Sequence, residues 1–175
     1  MHPDRALLEA FRSITGKSAR VDAAVLFAAT RLFFLLLLVA LASVLFFPVH
    51  EGSGRLHTLG VVLAALALAE AISWTTSLVW HRERPFLHLG FSPLFWMPPR
   101  WKSFPSDHTT IGCTIAWTML LLKHPIAPVL IIMAIGVSFA RIAAGVHYPS
   151  DVFAGALLAL AAASCVVFLS RTLLI

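Results

Sequence analysis

The sequence has little charge and few cysteines. Charged residues make up 12% of its 175 residues, and two residues are cysteine. Cys113 and Cys165 both fall inside long apolar runs, where a thiol usually serves as a small apolar side chain, so we expect both to be chemically inert. Alternation of apolar and polar residues with the period of a β-strand is also missing, which argues against a transmembrane barrel.

The first 18 residues lack the continuous apolar stretch of a cleavable signal peptide. Charged residues interrupt them at five positions: Asp4, Arg5, Glu9, Arg12 and Lys17. Apolar residues recur instead at helical spacing, at Leu7, Leu8, Phe11 and Ile14. This pattern predicts an amphipathic helix over residues 1–20 that lies on a membrane surface, with a disordered tail as the alternative.

Long apolar runs dominate the rest of the chain. Apolar residues account for 59% of the sequence, and the mean hydropathy is +0.90. The runs cover residues 21–47, 57–80, 105–122, 126–144 and 152–169. About 20 helical residues cross a hydrocarbon core of roughly 30 Å, and backbone in lipid must bond within its own segment, so each run is predicted to be a helix. We therefore expect an all-α, polytopic membrane bundle of about five transmembrane helices, with one domain over residues 1–175 and a membrane core at residues 21–170.

Three polar segments interrupt these runs, and all three are predicted to lie on the same side of the membrane. They are HRERPF at residues 81–86, FPSDH at residues 104–108 and ARIAAGVHYPSD at residues 140–151. With five spans, alternate connections fall on opposite sides, so these segments share a side with the N-terminus. Side chains far apart in the sequence are thereby expected to meet at one surface, which we call the site side.

Polar side chains on the site side suit the binding of phosphate. Arg84 and Arg141 carry forked, permanently charged donors that match phosphate oxygens. Ser106 stands at a helix N-cap position, where free backbone amides and the helix dipole attract anions. The three residues together predict a phosphate site.

Two histidines and an aspartate complete a candidate catalytic set. His147 precedes Asp151 by four residues, so the carboxylate is expected to hold one imidazole nitrogen as N–H and leave the other free as a nucleophile. His108 is the candidate general acid for the leaving group. The same three side chains also suit a metal-ligand set, which keeps a metal hydrolase open as an alternative.

The order Arg-Pro, Pro-Ser-x-His and Arg-x5-His-x3-Asp resembles the type 2 phosphatidic acid phosphatase superfamily. Membrane members of that family remove phosphate from lipid phosphates and diphosphates without a metal or other cofactor, through a phosphohistidine intermediate. The resemblance implies a nucleophile at His147, an orienting partner at Asp151, a general acid at His108 and phosphate ligands at Arg84, Ser106 and Arg141.

The sequence departs from the family pattern at three positions. Ser77 stands where the family often has a Lys, and Ala140 stands where it often has a Ser before the Arg. Asp107, in PSDH, resembles the branch that hydrolyses undecaprenyl diphosphate; we place it in the phosphate-binding segment and expect it to face a basic residue of the nearby loop. Three residues are candidates to supply the missing positive charge: Arg31, Arg82 and Lys102.

Two ionisable residues, Arg31 and Glu70, lie inside predicted spans. Such residues are costly in a membrane and usually mark a partner or a site. Arg31 is ten residues past Val21 and Glu70 is ten residues before Trp80, which places both roughly 15 Å from the site side. The matching depth predicts an ion pair between neighbouring helices that holds Arg31 beneath the phosphate site.

The predicted function is hydrolysis of undecaprenyl diphosphate to undecaprenyl phosphate, a step in recycling the cell-wall lipid carrier. A phospholipid substrate such as phosphatidic acid or phosphatidylglycerol phosphate is the alternative within the phosphatase class, and a membrane scaffold is the alternative outside it. The expected partners are the lipid substrate and membrane lipid, with no nucleic acid, and the number of subunits stays open.

Positive charge and the family resemblance disagree about orientation. Nine of the thirteen Lys and Arg residues lie on the site side, and cytoplasmic loops usually carry an excess of these residues. The resemblance instead places the site outside the cytoplasm, in the inner membrane of a bacterial cell. We expect the outside orientation, because several of these charges are needed to bind phosphate in either orientation.

Overall fold

The computed structural model describes residues 3–47, 54–99 and 101–173. All regular structure in these ranges is helical, as predicted from the apolar runs. The helices are α1 (Pro3–Arg12), α2 (Ala19–Phe46), α3 (Arg55–Val79), α4 (Pro85–His88), α5 (Asp107–Leu121), α6 (Ala127–Ala143) and α7 (Pro149–Leu173). The five longest helices match the five predicted spans to within a few residues at each end.

Three of these helices, α2, α3 and α7, are long and apolar enough to cross a membrane. α6 is apolar but has 17 residues, and α5 has 15. The protein is therefore an integral membrane helix bundle, while full crossing by all five helices stays a prediction. The boundaries of a single domain over residues 1–175 also stay a prediction.

α5 lies at the centre of the bundle, in contact with α3, α6 and α7. A small residue permits the close approach of α7, because a Cβ atom at Gly155 would lie 2.9 Å from Thr110 Oγ1 and 3.0 Å from the carbonyl oxygen of Ser106. Leu36 of α2 and Met119 of α5 are buried together in the main apolar core. Because α5 is packed on three sides, the polar residues at its N-terminus are held in fixed positions.

The predicted ion pair between Arg31 and Glu70 is wrong. α2 packs mainly against α6, whereas α3 packs mainly against α5 and α7, so α2 and α3 contact each other little although they are consecutive. Arg31 is exposed, and within the described ranges the charges that act on Glu70 are those of Asp107 and Lys102. Matching depth along two helices does not bring side chains together when the helices have other partners.

α1 is the predicted amphipathic helix, but it is shorter than residues 1–20. It ends at Arg12, and the chain then turns at Gly16, whose φ of +78° lies in the left-handed region that favours glycine. Leu8 is fully buried against α6 and the segment that follows α6. The helix is thus docked on the protein through one of its faces.

Candidate active site

The three polar segments meet at one end of the bundle, and Arg84 links two of them. Its buried side chain donates to the carbonyl oxygens of Trp101 (3.1 Å), Lys102 (2.8 Å) and Val146 (2.8 Å). Burial lowers the pKa of Arg84 to about 10, so the guanidinium stays charged at neutral pH. Arg84 therefore ties the segment before α5 to the segment before α7, with its Nη1 atom 3.2 Å from Nε2 of His147.

His147 lies between α6 and α7 and is 2% exposed. Its Nδ1 atom is 2.9 Å from the carbonyl oxygen of Ser103. Since a carbonyl oxygen only accepts, Nδ1 carries the proton and Nε2 keeps a lone pair. Burial, followed by the charges of Arg84 and Arg141, lowers the pKa of His147 well below its ordinary value. The imidazole is therefore neutral at physiological pH, which is the state that a nucleophile needs.

Asp151, in the first turn of α7, does not hold His147 directly. Its Oδ2 atom is 3.6 Å from Nδ1 of His147, which is too long for a hydrogen bond. Oδ2 accepts instead from the Ser103 hydroxyl at 2.6 Å and from the Tyr148 amide at 2.9 Å. The expected direct contact is thus corrected: Asp151 holds Ser103, and the Ser103 carbonyl holds the ring. No motif indicated a role for Ser103, which directly precedes FPSDH.

Arg82 is occupied by two carboxylates. Its Nη1 atom donates to Asp151 Oδ1 and its Nη2 atom donates to Asp4 Oδ2, each at 2.6 Å. The guanidinium also lies over the Tyr148 ring, 3.9 Å from the ring centroid. Because both ends of its fork are taken, Arg82 is poorly placed to serve as the supplementary phosphate ligand.

Arg141, in the last turn of α6, has buried donors without an acceptor. The residue is 2% exposed, and its Nη1 atom donates to the carbonyl oxygen of Ala29 at 3.1 Å. Nε and Nη2 are buried and have no hydrogen-bond partner in the part of the chain that the structure describes. A buried donor without a partner costs about 1–3 kcal/mol, and more when it is charged. An oxyanion bound at this position would supply the missing acceptors.

Ser106 and His108 both lie at the start of α5. Ser106 is the N-cap residue, is fully buried, and its amide donates to the carbonyl oxygen of Asp151 at 3.1 Å. The His108 ring centroid is 4.5 Å from that of Phe33 on α2, and the charge of Arg141 acts on the imidazole. The structure thus places both residues in the same site as the two arginines.

Asp107 faces a basic residue of the preceding loop, as expected. Its Oδ1 atom is 2.5 Å from Nζ of Lys102, which also donates to Ser73 Oγ at 2.6 Å. Ser73 lies one helical turn before Ser77, the position where the family often has a Lys. The Lys102 ammonium is therefore close to the place of the missing charge, whereas Arg31 is exposed.

The arrangement of these side chains does not favour a metal site. Across the described ranges, no group of three or more His, Cys, Asp or Glu side chains is placed to hold a metal ion. Nδ1 of His147 is taken by a carbonyl oxygen, and the Asp151 carboxylate is taken by Ser103, Tyr148 and Arg82. The alternative in which these two residues and His108 are metal ligands has no support from the geometry.

The fold and the site define a class of protein: an integral membrane helix bundle that has, at one end, a neutral, buried histidine and a buried arginine with unpaired N–H groups in the described ranges. Residues 58–173, which are more than half of the chain, match the PAP2 superfamily. The chain therefore belongs to the PAP2 superfamily, and the resemblance carried by the three motifs is confirmed.

Curated relatives and solved structures are similar to this chain over different lengths. Putative undecaprenyl-diphosphatase YbjG of Escherichia coli (strain K12) is 32% identical over 99 residues, which cover 55% of this chain and 48% of the relative. Undecaprenyl-diphosphatase of Sulfolobus acidocaldarius is 35% identical over 106 residues, which cover 59% of this chain and 52% of the relative. The chain thus spans about half the length of these curated relatives. The crystal structure of Aquifex aeolicus LpxE superposes with a TM-score of 0.70 and 27% identity, over 91% of this chain and 93% of that one.

Proposed function

We propose that this protein is a membrane phosphatase that hydrolyses undecaprenyl diphosphate to undecaprenyl phosphate and inorganic phosphate. The observation that carries the proposal is a pair of groups that act on one another electrostatically: Arg141, whose buried Nε and Nη2 have no acceptor in the described ranges, and His147, whose Nε2 keeps a lone pair. Arg141 is suited to bind the oxygens of a phosphate group, and His147 is suited to attack its phosphorus atom. The undecaprenyl-diphosphatase names of the two relatives and the PSDH segment support this substrate over other lipid phosphates.

Binding of the terminal phosphate uses three kinds of donor. Arg141 offers the N–H groups of its Nε and Nη2 atoms, and Arg84 adds a positive charge 3.2 Å from Nε2 of His147. The backbone amides that follow Ser106 lie at the N-terminus of α5, where anions are favoured. Lys102, held on α3 by Ser73, adds the positive charge that the sequence lacks at Ser77.

The proposed reaction uses His147 as the nucleophile and His108 as the group that gives and later takes back a proton. Nε2 of His147 attacks the terminal phosphorus, and the bond between that phosphorus and the bridging oxygen breaks. His108 donates a proton to the bridging oxygen as undecaprenyl phosphate leaves. Water then attacks the phosphohistidine, His108 accepts a proton from that water, and inorganic phosphate is released with His147 restored. Throughout, the Ser103 carbonyl keeps the Nδ1 proton in place.

A substrate panel tests this proposal. Purified protein in lipid micelles would be given undecaprenyl diphosphate, phosphatidic acid and phosphatidylglycerol phosphate, and phosphate release would be measured with and without vanadate and chelator. We expect the highest kcat/KM for the prenyl diphosphate, inhibition by vanadate and no loss with chelator. Arg141→Gln should raise KM or lower kcat/KM by about 10- to 100-fold, because charged hydrogen bonds to the substrate contribute about 1.5–3 kcal/mol each.

Other outcomes of the panel contradict separate parts of the proposal. Loss of activity with chelator would favour a metal hydrolase. A higher kcat/KM for either phospholipid would overturn the assignment of the substrate. No phosphate release from any of the lipids would favour a membrane scaffold.

The site side is proposed to face the outside of a bacterial inner membrane, and cysteine labelling in intact cells tests this orientation. Ser92 is exposed in the loop that carries the site side, and Gly54 lies at the opposite end of α3. In a background without Cys113 and Cys165, Ser92→Cys should react with a membrane-impermeant thiol reagent and Gly54→Cys should not. The reverse pattern would place the site in the cytoplasm and would exclude action on a lipid of the outer leaflet.

A further inference from the structure

A buried carboxylate on α1 contacts the segment that carries the proposed nucleophile. Asp4 lies in the first turn of α1 and is 9% exposed. Its Oδ1 atom accepts from the Ser150 amide at 3.0 Å, and its Oδ2 atom accepts from the Ser150 hydroxyl and from Arg82 Nη2, each at 2.6 Å. None of these contacts takes part in the reaction described above, so the burial of a carboxylate at this position has a different role.

These contacts continue to His147 through a chain of hydrogen bonds. Arg82 Nη1 donates to Asp151 Oδ1 at 2.6 Å, and Asp151 Oδ2 accepts from the Ser103 hydroxyl at 2.6 Å. The Ser103 carbonyl oxygen then accepts from His147 Nδ1 at 2.9 Å. Every link is short, and the chain joins residue 4 to residue 147 through groups that are buried or half-buried.

The other end of α1 also packs against the segment that contains His147. The Arg12 guanidinium lies 3.4 Å from the centroid of the Phe91 ring. That ring is so close to Gly145 that a Cβ atom there would lie 2.7 Å from it, and Gly145 has a φ of +77°. Together with Asp4, these contacts place α1 against both ends of the segment from Gly145 to Ser150, in which His147 lies.

Asp4 is ionised at neutral pH and so forms charge-assisted hydrogen bonds. Burial raises the pKa of Asp4, but hydrogen bonds from Ser150 and Arg82 outweigh that effect and leave the pKa below its ordinary value. Hydrogen bonds to a charged acceptor are shorter and stronger than those between neutral groups. Removal of the Asp4 carboxylate would leave Arg82 with Asp151 as its remaining carboxylate partner among the described residues.

The structure assigns to Asp4 the role of a positioning residue for His147, acting through Arg82, Asp151 and Ser103. In this arrangement, docking of α1 fixes the carbonyl oxygen at Nδ1 that, together with the Arg84 donor at Nε2, sets which imidazole nitrogen carries the proton. A displaced Ser103 carbonyl would let the proton move to Nε2, and His147 would lose the lone pair that attacks phosphorus. The effect on turnover rests on the proposed function, whereas the effect on the tautomer does not.

Variants of Asp4 test this role with two independent measurements. Asp4→Asn keeps the shape of the side chain but turns an amide toward Arg82, and Asp4→Glu keeps the charge. Glu9→Gln is the matched control, because Glu9 lies on the same helix and pairs with Arg5 in an exposed position. Phosphate release gives kcat and KM, and ¹⁵N-histidine NMR reports the tautomer of His147, whose signal is identified by its loss in His147→Ala.

We expect Asp4→Asn to lower kcat about 10- to 100-fold with KM nearly unchanged, on the scale of the losses seen when a partner that orients a metal-bound histidine is removed. Asp4→Glu should recover part of kcat, Glu9→Gln should match the unmodified protein, and the His147 spectrum of Asp4→Asn should show a mixture of tautomers. A purely structural role would lower the thermal midpoint without changing the tautomer.

Two results would overturn the role of Asp4. The first is an active protein in which Asp4→Asn leaves kcat within about twofold, which lies well below the losses typical of positioning groups. The second is an unchanged His147 spectrum in folded Asp4→Asn. If the unmodified protein releases no phosphate from any lipid, the proposed function fails, and the NMR comparison alone still decides whether Asp4 positions His147.

Discussion

Replacement of His147 by alanine is expected to lower phosphate release by about 10⁴-fold or more, as is typical when an enzyme loses its nucleophile. The neutral imidazole offers a lone pair at Nε2 because its Nδ1 proton is held by the Ser103 carbonyl. No step after binding can begin without that lone pair. The fold should survive, because the helices that surround the site are packed by apolar contacts elsewhere in the bundle.

Trapping of the covalent intermediate checks this expectation directly. The unmodified protein, mixed with substrate labelled in its terminal phosphate and quenched in base, should retain label as phosphohistidine. His147→Ala should retain none, with a thermal midpoint that shows folded protein. Phosphate release at a comparable rate by folded His147→Ala would show that the nucleophile is a different group.

Replacement of His108 by alanine is expected to lower kcat by about 10²- to 10⁴-fold, the usual contribution of a general acid. The loss should depend on the leaving group, because nitrophenolate leaves without a proton whereas a bridging phosphate oxygen does not. With p-nitrophenyl phosphate, His108→Ala should therefore form the phosphohistidine readily and hydrolyse it slowly, which gives a burst of nitrophenolate.

The control for this experiment is His88→Ala, since His88 is exposed at the end of α4 and has no assigned role. It should match the unmodified protein with both substrates. Equal losses for His108→Ala with undecaprenyl diphosphate and with p-nitrophenyl phosphate, and no burst, would contradict the assignment of His108 as the acid that protonates the leaving group.

Much of the architecture was predictable because a membrane restricts what a chain can do. Backbone in lipid must satisfy its own hydrogen bonds, so long apolar runs had to be helices, and alternate connections had to fall on opposite sides. That reasoning located α2, α3 and α5 to α7 to within a few residues and brought Arg84, Ser106 and His147 to one end of the bundle.

Helix neighbours could not be predicted in the same way. The outer surfaces of all these helices are apolar, so hydrophobicity does not determine which helices pack together. Small residues that permit close contact determine the packing instead. Gly155 brings α7 onto the start of α5, and α2 packs on α6 rather than on α3. The ion pair expected between Arg31 and Glu70 failed for this reason.

The sequence by itself determined which side chains are the candidates for the chemistry: two histidines, two arginines and an aspartate with the order and spacing of the PAP2 superfamily. Tertiary structure decided how they are held. The group that holds Nδ1 of His147 is the carbonyl of Ser103, and every residue has a carbonyl, so no pattern of side chains reveals it. Asp4 contacts Ser150 across 146 positions of the chain, and only the docking of α1 makes that contact. The identity of a side chain can be read from the sequence alone, whereas its hydrogen-bond partners depend on which segments the folded chain brings within about 3 Å of one another.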